Sequence, residues 1–215
     1  MSYKLLFLDQ FGTLGGGQRV LWETLRSLDR AQYQTTVALG MDGDFRERLL
    51  DEGVPVMDLP LGNYHSVEKT LLDRVRFFFR SLYCALVLTR WVFRHQPNLL
   101  FANGPRTFIC VTLAGCLTHR PVIWHLHNVL PKGAELSLLA VFSRWVHTIL
   151  VCSRAAAEPL LERRPSLHSK VRLIYNPVPR LKQPTPGDVD KLREGFGVQP
   201  EQVCIGIFGR VTAFK

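Results

Sequence analysis

Residues 4–20 read KLLFLDQFGTLGGGQRV, a short apolar run that leads through a glycine-rich loop into the start of a helix. The run at residues 4–9 predicts a buried strand. Three consecutive glycines at 15–17 let backbone N–H groups approach an anion closely, and the N-terminus of the helix that follows favours negative charge. The loop lacks the Lys and Ser/Thr of a P-loop, and Val20 stands where a dinucleotide fingerprint has Gly or Ala. We expect the loop to contact a phosphate or a substrate; the alternative is a tight turn without a ligand.

The rest of the chain repeats this alternation of short apolar runs and longer helical patterns. Apolar runs predict strands at residues 4–9, 35–39, 54–59, 99–102, 122–126, 148–151 and 171–174. Helical periodicity predicts helices at residues 18–28, 45–52, 67–95, 106–117, 135–146 and 155–162. This order predicts an α/β fold with a doubly wound, parallel, Rossmann-like sheet. Ligands in such folds bind at the carboxyl ends of the strands, so the loops there matter most for function.

Composition indicates a folded protein with an excess of positive charge. Hydrophobic side chains make up 47% of the 215 residues, which excludes intrinsic disorder as the main description. Lysine and arginine number 27 against 18 aspartates and glutamates, and the resulting net charge of +9 favours an anionic partner. The five cysteines lie mostly in apolar runs and form no C-x-x-C pair. They are typical of buried thiols in a reducing compartment, so we expect a cytoplasmic protein.

Neither a signal peptide nor a membrane span is expected. The N-terminus lacks the length and the small-residue cleavage site of a signal peptide. The longest apolar stretch, residues 77–93, is interrupted by Arg80 and Arg90, and two central arginines are costly in a bilayer.

The composition changes abruptly at Asn176. Four prolines and a glycine within the next dozen residues predict a stiff linker at residues 176–187. Beyond it, residues 189–196 predict a helix and residues 203–208 a strand. A strand without a partner leaves its ladder groups unpaired. We therefore expect a first domain at residues 1–175 and, at residues 188–215, the start of a second domain that is truncated here.

Two histidines lie near the end of the fifth predicted strand, in the stretch VIWHLHN at residues 122–128. Their period-2 spacing places His125 and His127 on the same face. The position at the end of a strand favours a functional role for His127. A metal pair is the weaker alternative, because no third ligand of suitable spacing is nearby.

Two D-x-D pairs, at residues 42–44 and 188–190, have a form that some sugar-transferring enzymes use to hold a divalent metal. Both stand at predicted helix starts, so N-capping explains each of them without a metal.

The predicted helix at residues 67–95 has a basic stripe and an apolar side. The stripe contains Arg76, Arg80, Tyr83, Val87, Arg90 and Arg94. The expected buried side contains Leu71, Val75, Phe78, Leu82 and Ala85. A helix that covers the sheet is favoured, because a doubly wound sheet needs such a cover. Contact with an anionic membrane is the alternative, since acidic residues are missing after Asp73.

Five motifs in order resemble the group 1 (GT4-type) retaining glycosyltransferases of the GT-B fold. They are the glycine-rich loop GGGQRV at 15–20, the strand PVIWHLHN at 121–128, VCSR at 151–154, VRLIYNPV at 171–178 and IFGRVTAFK at 207–215. The resemblance implies the N-terminal half of a GT-B enzyme that transfers a sugar from a nucleotide-sugar donor, with UDP, GDP or a similar nucleotide, to a saccharide or lipid-linked acceptor.

The resemblance also implies roles for individual residues. His127 would be catalytic, by a hydrogen bond to the transferred sugar. The expected donor and diphosphate contacts are Gly15, Gly16, Gly17, Arg210 and Lys215. The expected acceptor contacts are Gln18, Asn103 and Arg106. No metal or other cofactor is expected.

The family's E-x7-E element and its contacts to the nucleotide base belong to a second domain, so the isolated chain is expected to be inactive. Asn176 precedes proline where the family often has glycine, which stiffens the hinge.

Two alternatives to a glycosyltransferase are a dinucleotide-dependent enzyme and a non-catalytic nucleotide- or phosphate-binding domain. The absence of an acidic residue after the second strand disfavours the dinucleotide-dependent enzyme. Nucleic acid is not expected as a partner, because no nucleic-acid-binding motif accompanies the charge. Peripheral contact with the inner face of an anionic membrane fits the basic helix.

Overall fold

The computed structural model describes residues 2–62, 70–177, 183–199 and 201–206, without the side chain of Leu71. The chain divides into two compact units, residues 1–177 and 178–215. The division falls inside the predicted linker.

A seven-stranded, all-parallel sheet forms the centre of the first unit, in the order β3-β2-β1-β4-β5-β6-β7. The strands are β1 (Tyr3–Asp9), β2 (Tyr33–Leu39), β3 (Val56–Asp58), β4 (Leu99–Asn103), β5 (Val122–Leu126), β6 (Thr148–Val151) and β7 (Val171–Leu173). Each lies within two residues of a predicted run. The predicted doubly wound, Rossmann-like sheet is confirmed.

Helices cover both faces of the sheet. They are α1 (Gly16–Ser27), α2 (Asp44–Asp51), α3 (Leu71–His95), α4 (Pro105–Thr118), α5 (Ala134–Phe142) and α6 (Arg154–Arg163), with 3-10 turns at Ser143–Trp145 and Pro165–Ser169. The predicted helix at 135–146 is thus shorter, since its last turn tightens. Residues 67–69 of the predicted third helix lie outside the described residues.

Alternation along the strands builds a core on each face. Phe7 of β1 packs with Leu21 and Phe45 of α1 and α2. On the opposite face, Leu6 and Leu8 belong to the larger core beneath α3, α4, α5 and α6. Helices on both faces bury the central strands of the sheet, as near-continuous apolar strands require.

In the larger core, Trp124 of β5 lies parallel to the Phe108 ring at a centroid distance of 4.3 Å. Its indole Nε1 donates to Thr112 Oγ1 at 3.0 Å. Thr112 is fully buried, so the hydroxyl satisfies an indole N–H that water cannot reach.

The predicted N-capping role is confirmed for the second D-x-D pair, through a capping box, and is wrong for the first. The N-cap of α2 is Gly43, and Asp44 Oδ1 instead accepts from the Leu14 amide at 2.9 Å. In the second pair, Thr185 is the N-cap and Asp188 completes its capping box. The N-cap residue directly precedes Asp44 in the first pair and stands three residues before Asp188 in the second, and spacing alone did not distinguish these positions.

The second unit contains one described helix, α7 (Pro186–Gly195), which begins one residue before the predicted end of the linker at residue 187. Proline is favourable in its first turn because its missing N–H needs no partner there. The predicted strand at 203–208 is not formed at residues 203–206, where Val203 and Ile205 are 86% and 87% exposed. No neighbouring strand pairs with these residues within the described part of the second unit. Residues 207–208 lie outside the described residues.

Candidate functional site

Three neighbouring strands bring polar side chains together at the carboxyl edge of the sheet. Parallel register aligns Asp9 of β1 with Asn103 of β4, and Asn103 with His125 of β5. His127 follows the end of β5 by one residue. The edge at which such folds bind ligands therefore holds a carboxylate, an amide and two imidazoles.

Asp9 is almost completely buried, with 1% of its surface exposed. Its carboxylate accepts hydrogen bonds from the Phe11 amide at 2.9 Å, from Gln18 Nε2 at 2.9 and 3.0 Å, and from Asn103 Nδ2 at 2.5 Å. Burial raises the pKa of Asp9 to about 6, because a charge is costly away from water; the hydrogen bonds oppose that rise.

Asn103 joins this carboxylate to His127. Its Nδ2 donates both to Asp9 and to the Gly17 carbonyl oxygen, at 3.2 Å for the latter. Its Oδ1 lies 2.7 Å from His127 Nε2. A single amide thus connects β1, the first turn of α1 and the end of β5.

The two predicted histidines lie together, as their period-2 spacing implies. The rings of His125 and His127 are 4.0 Å apart at an angle of 49°. Burial lowers the pKa of His127 to about 4 and is also the main cause that lowers the pKa of His125 to about 3, with His127 adding to it. Both rings are neutral at pH 7.

The glycine-rich loop packs tightly against this group. A Cβ on Gly17 would lie 3.2 Å from His127 Cδ2, whereas a Cβ on Gly16 would meet nothing within 4 Å. The Gly15 amide donates to Gln18 Oε1 at 3.1 Å, at the N-terminus of α1. No acidic residue lies in the first turn of this helix. The loop can therefore accommodate an anion beside the neutral imidazole of His127.

The predicted site residues fall in different places. Gln18 and Asn103, expected to contact an acceptor, are 8% and 4% exposed, and their amides hold Asp9. Arg106 is in the first turn of α4, with its guanidinium 5.5 Å from the centre of the Phe11 ring. Arg210 and Lys215 lie outside the described residues. All these roles stay predictions.

Asp9 is the polar centre that sequence reasoning missed. Its signal is an acidic residue at the carboxyl end of an apolar strand, directly before a glycine-rich loop. Such a residue faces either the ligand or the neighbouring strands, and the pattern alone does not say which.

An apolar cavity of about 380 Å³ opens next to this site. It lies between the first turns of α3 and α4, the loop after β5, and α5. Its apolar lining includes Phe77, Phe78, Ile109, Leu130, Leu136 and Leu139. Asn128 and Arg106 also line it, so it borders the residue that follows His127. Its volume is in the range of small-molecule pockets.

Helix α3 presents a second apolar surface. Its buried side runs through Ser81, Cys84, Ala85, Leu88 and Val92. Of the residues predicted to be buried, Ala85 is buried and Leu82 is half-buried, whereas Val75 and Phe78 are 44% and 37% exposed. Apolar residues occur all round this helix, which is why periodicity misplaced part of its buried side. The solvent side alternates large apolar residues with arginines at helical spacing. We call this the α3 stripe: Leu72, Arg76, Phe79, Tyr83, Leu86, Arg90 and Phe93.

The described ranges contain neither a candidate metal site nor a candidate membrane span. Nowhere among those residues do three histidine, cysteine or acidic side chains form a group that could hold a metal ion. Of the helices described above, none has the combination of length and apolar character that crossing a bilayer requires.

Comparison with known proteins gives a family match. Residues 14–180 match the family model described as Glycosyltransferase Family 4. The matched range contains the glycine-rich triplet, β2 to β7 and His127. Among curated proteins, no sequence matches the chain.

Solved structures share the fold at low sequence identity. Alr3699/HepE of Anabaena in complex with UDP is similar over 90% of this chain and 50% of its own, with 22% identity and a TM-score of 0.70. Its complex with UDP-glucose gives 22% identity, the same coverage and a TM-score of 0.68. A glycosyltransferase from Rickettsia africae matches over 93% of this chain and 51% of its own, with 16% identity and a TM-score of 0.66. The chain thus spans about half the length of these proteins.

Proposed function

Because the chain belongs to Glycosyltransferase Family 4, we propose that it is the acceptor-side part of an enzyme that transfers a sugar from a nucleotide-sugar donor to a saccharide or lipid-linked acceptor. One observation carries the proposal: the glycine-rich loop at the N-terminus of α1 packs directly against the neutral His127 at the carboxyl edge of the sheet. The similarity to an Anabaena protein in complex with UDP and with UDP-glucose supports a nucleotide-sugar donor.

The chemistry of the transfer fits this arrangement. A sugar–phosphate bond breaks with negative charge accumulating on phosphate oxygens, and fixed N–H donors and cations stabilise that charge. In the proposed reaction the backbone at Gly15, Gly16 and Gly17 approaches the diphosphate, and Arg210 and Lys215 neutralise it. His127 hydrogen-bonds the transferred sugar, and the configuration at the reacting carbon is retained without a metal.

Of the three residues expected to contact the acceptor, Arg106 is the best candidate. Gln18 and Asn103 could contact an acceptor only by giving up hydrogen bonds to a buried carboxylate, and an unpaired buried group is costly. Arg106 borders the apolar cavity next to His127, where the acceptor is expected to enter.

A transfer assay tests the proposal. The full product of the reading frame is incubated with radiolabelled UDP-glucose, GDP-mannose and related donors, together with a lipid extract and free saccharides. We expect label in the acceptor fraction, and a loss of about a hundredfold or more in His127→Ala, the size of effect that removal of one transition-state hydrogen bond has. His168→Ala, at an exposed histidine outside the site, is the matched control. Absence of transfer with every donor would favour a non-catalytic nucleotide-binding domain.

The 215-residue chain alone is expected to give no transfer in the same assay. Within the proposal, groups that hold the nucleotide base belong to a second domain. Donor-dependent transfer by the isolated chain would contradict this part.

We place the protein in the cytoplasm, with the α3 stripe against the inner face of an anionic membrane. Large exposed side chains such as Phe79, Tyr83 and Phe93, with 64%, 60% and 57% exposure, give the stripe apolar area, and its arginines complement lipid phosphate. Each basic residue near such a surface contributes about 1 kcal/mol. A membrane-bound enzyme would reach a lipid-linked acceptor directly.

Vesicle sedimentation tests the membrane contact. The chain should sediment with vesicles containing anionic phospholipid, much less with neutral vesicles, and less as salt is raised. Replacing Arg76 and Arg90 by glutamine should weaken binding more than replacing Arg48 and Arg154, two exposed arginines of other helices. Equal effects of the two double variants would show that net charge, and not the stripe, drives binding.

A further inference from the structure

We propose that Asp9 is a positioning residue that acts through Asn103: it fixes the ring proton of His127 on Nε2 and leaves Nδ1 able only to accept a hydrogen bond. The proposal deepens the proposed function and rests on it in one respect, namely that the group donating a hydrogen bond to Nδ1 is a sugar hydroxyl. The arrangement of protons within the chain is independent of any substrate.

The direction of each hydrogen bond follows from neighbouring groups that can only donate or can only accept. The Gly15 amide can only donate, and it donates to Gln18 Oε1 at 3.1 Å, so Gln18 turns its Nε2 towards Asp9. The ionised Asp9 carboxylate accepts from Gln18, from Asn103 and from the Phe11 amide. All the described partners of this carboxylate are N–H donors, which favours its ionised form.

Asn103 is oriented by two acceptors. Its Nδ2 faces Asp9 Oδ2 and the Gly17 carbonyl oxygen, and neither of these can donate. The opposite orientation of the amide would place oxygen against oxygen at both contacts. Asn103 Oδ1 therefore faces His127 Nε2, at 2.7 Å. Because Oδ1 only accepts, Nε2 must carry the proton.

One proton remains to be shared between the two ring nitrogens of His127, since the buried ring is neutral at pH 7. With Nε2 protonated, Nδ1 has a lone pair and no N–H. Nδ1 is buried and has no hydrogen-bond partner among the residues that the structure describes. Only a hydrogen-bond donor can satisfy such an atom, and a ligand can do so only once a local shift exposes Nδ1. A sugar hydroxyl is such a donor, whereas a phosphate oxygen without a proton is not.

Asp9→Asn should reverse the donor and acceptor roles in the hydrogen bonds from residue 9 through Asn103 to His127. The new amide has one oxygen and one NH₂ group, and the Phe11 N–H holds the oxygen at the Oδ1 position. The NH₂ group then faces Asn103 Nδ2. Asn103 can pair with it only by rotating to offer Oδ1 to it and Nδ2 to His127, which gives up the hydrogen bond from Nδ2 to the Gly17 carbonyl oxygen. His127 Nε2 becomes the acceptor, and the ring proton moves to Nδ1.

Nitrogen NMR of the histidine rings reads this directly, because protonated and bare ring nitrogens have well-separated chemical shifts. The ¹⁵N-labelled chain is measured at pH 7.5, and the His127 signals are assigned by their loss in His127→Gln. We expect the Nε2–H form to dominate by roughly tenfold in the wild type, the ratio that one hydrogen bond supplies, and the Nδ1–H form to dominate in Asp9→Asn. Asp51→Asn, at an exposed aspartate, should leave the tautomer unchanged.

The proposal is overturned if the wild type shows the Nδ1–H form or comparable amounts of both, or if a folded Asp9→Asn keeps the wild-type tautomer. Should Asp9→Asn not fold, Asn103→Leu removes the oxygen that faces Nε2 and should give a mixture of tautomers. An unchanged tautomer in that variant also overturns the proposal. The transfer assay is a separate readout: a chain with the expected tautomer and a full-length protein without transfer would refute the proposed function alone.

Discussion

Asp9→Asn should make the first unit progressively more stable than the wild type as pH rises. The pKa of Asp9 is raised to about 6 in the folded chain, from 3.8 for the unfolded carboxyl. Because the folded pKa is the higher one, protonation favours folding. That stabilisation is fully present below pH 3.8 and is lost as pH rises through 6.

The size of the effect follows from the shift. About 2 pKa units correspond to about 3 kcal/mol between the fully protonated and fully ionised forms. Roughly 0.5 kcal/mol of this is already lost at pH 4 and nearly all of it at pH 7.5. The free energy of unfolding of Asp9→Asn, minus that of the wild type, should therefore increase by about 2.5 kcal/mol between these two pH values. Hydrogen bonds that rearrange in Asp9→Asn shift this difference by the same amount at every pH. They therefore do not affect its change between pH 4 and pH 7.5.

Urea unfolding followed by tryptophan fluorescence measures the difference, since Trp124 is fully buried. The neutral histidines of the site titrate in both proteins, so their contribution largely cancels. Asp51→Asn, which removes an exposed carboxylate outside the site, serves as the control. If the difference in unfolding free energy between Asp9→Asn and the wild type stays flat or falls as pH rises, ionisation of Asp9 does not destabilise the folded chain. The argument that burial raises the pKa of Asp9 would then be wrong.

Two further substitutions test the packing of the site and of the core. Gly17→Ala should lower sugar transfer at least tenfold in the assay of the full-length protein, because its Cβ would lie 3.2 Å from His127 Cδ2; Gly16→Ala, with open space around its Cβ, should retain most of the activity. Thr112→Val should lower the free energy of unfolding by about 1–3 kcal/mol in urea titrations, because it leaves the buried Trp124 N–H without its acceptor, whereas Thr112→Ser should cost much less.

The fold was predictable because its strands are short apolar runs between clear turn signals. All seven strands and the parallel order of the sheet follow from that alternation. Family motifs then indicated the glycosyltransferase family, and the match over residues 14–180 bears this out. These features depend on local sequence patterns, which can be read from a single chain.

What the sequence did not predict depends on contacts between distant residues. Asp9 and Asn103 are 94 positions apart, and only the register of β1 with β4 shows that their side chains meet. Part of the buried side of α3 was misplaced because Val75 and Phe78 are as apolar as the residues that do face α4. The strand predicted at 203–208 is absent from residues 203–206 for a related reason: its pattern is favourable, but strand formation needs a neighbouring strand.

The order of the sheet also bears on how the chain avoids self-association. Both edge strands, β3 (Val56–Asp58) and β7 (Val171–Leu173), have three residues, whereas β1 and β2 have seven. An edge strand is a template on which another chain can add a strand, and its hazard grows with its length. At both edges few backbone groups are therefore left for another chain to pair with, and the long strands most able to seed a fibril lie in the interior. A substitution that lengthened β7, such as one that drew residues 174–177 into the sheet, would be expected to promote aggregation before it affected any chemistry.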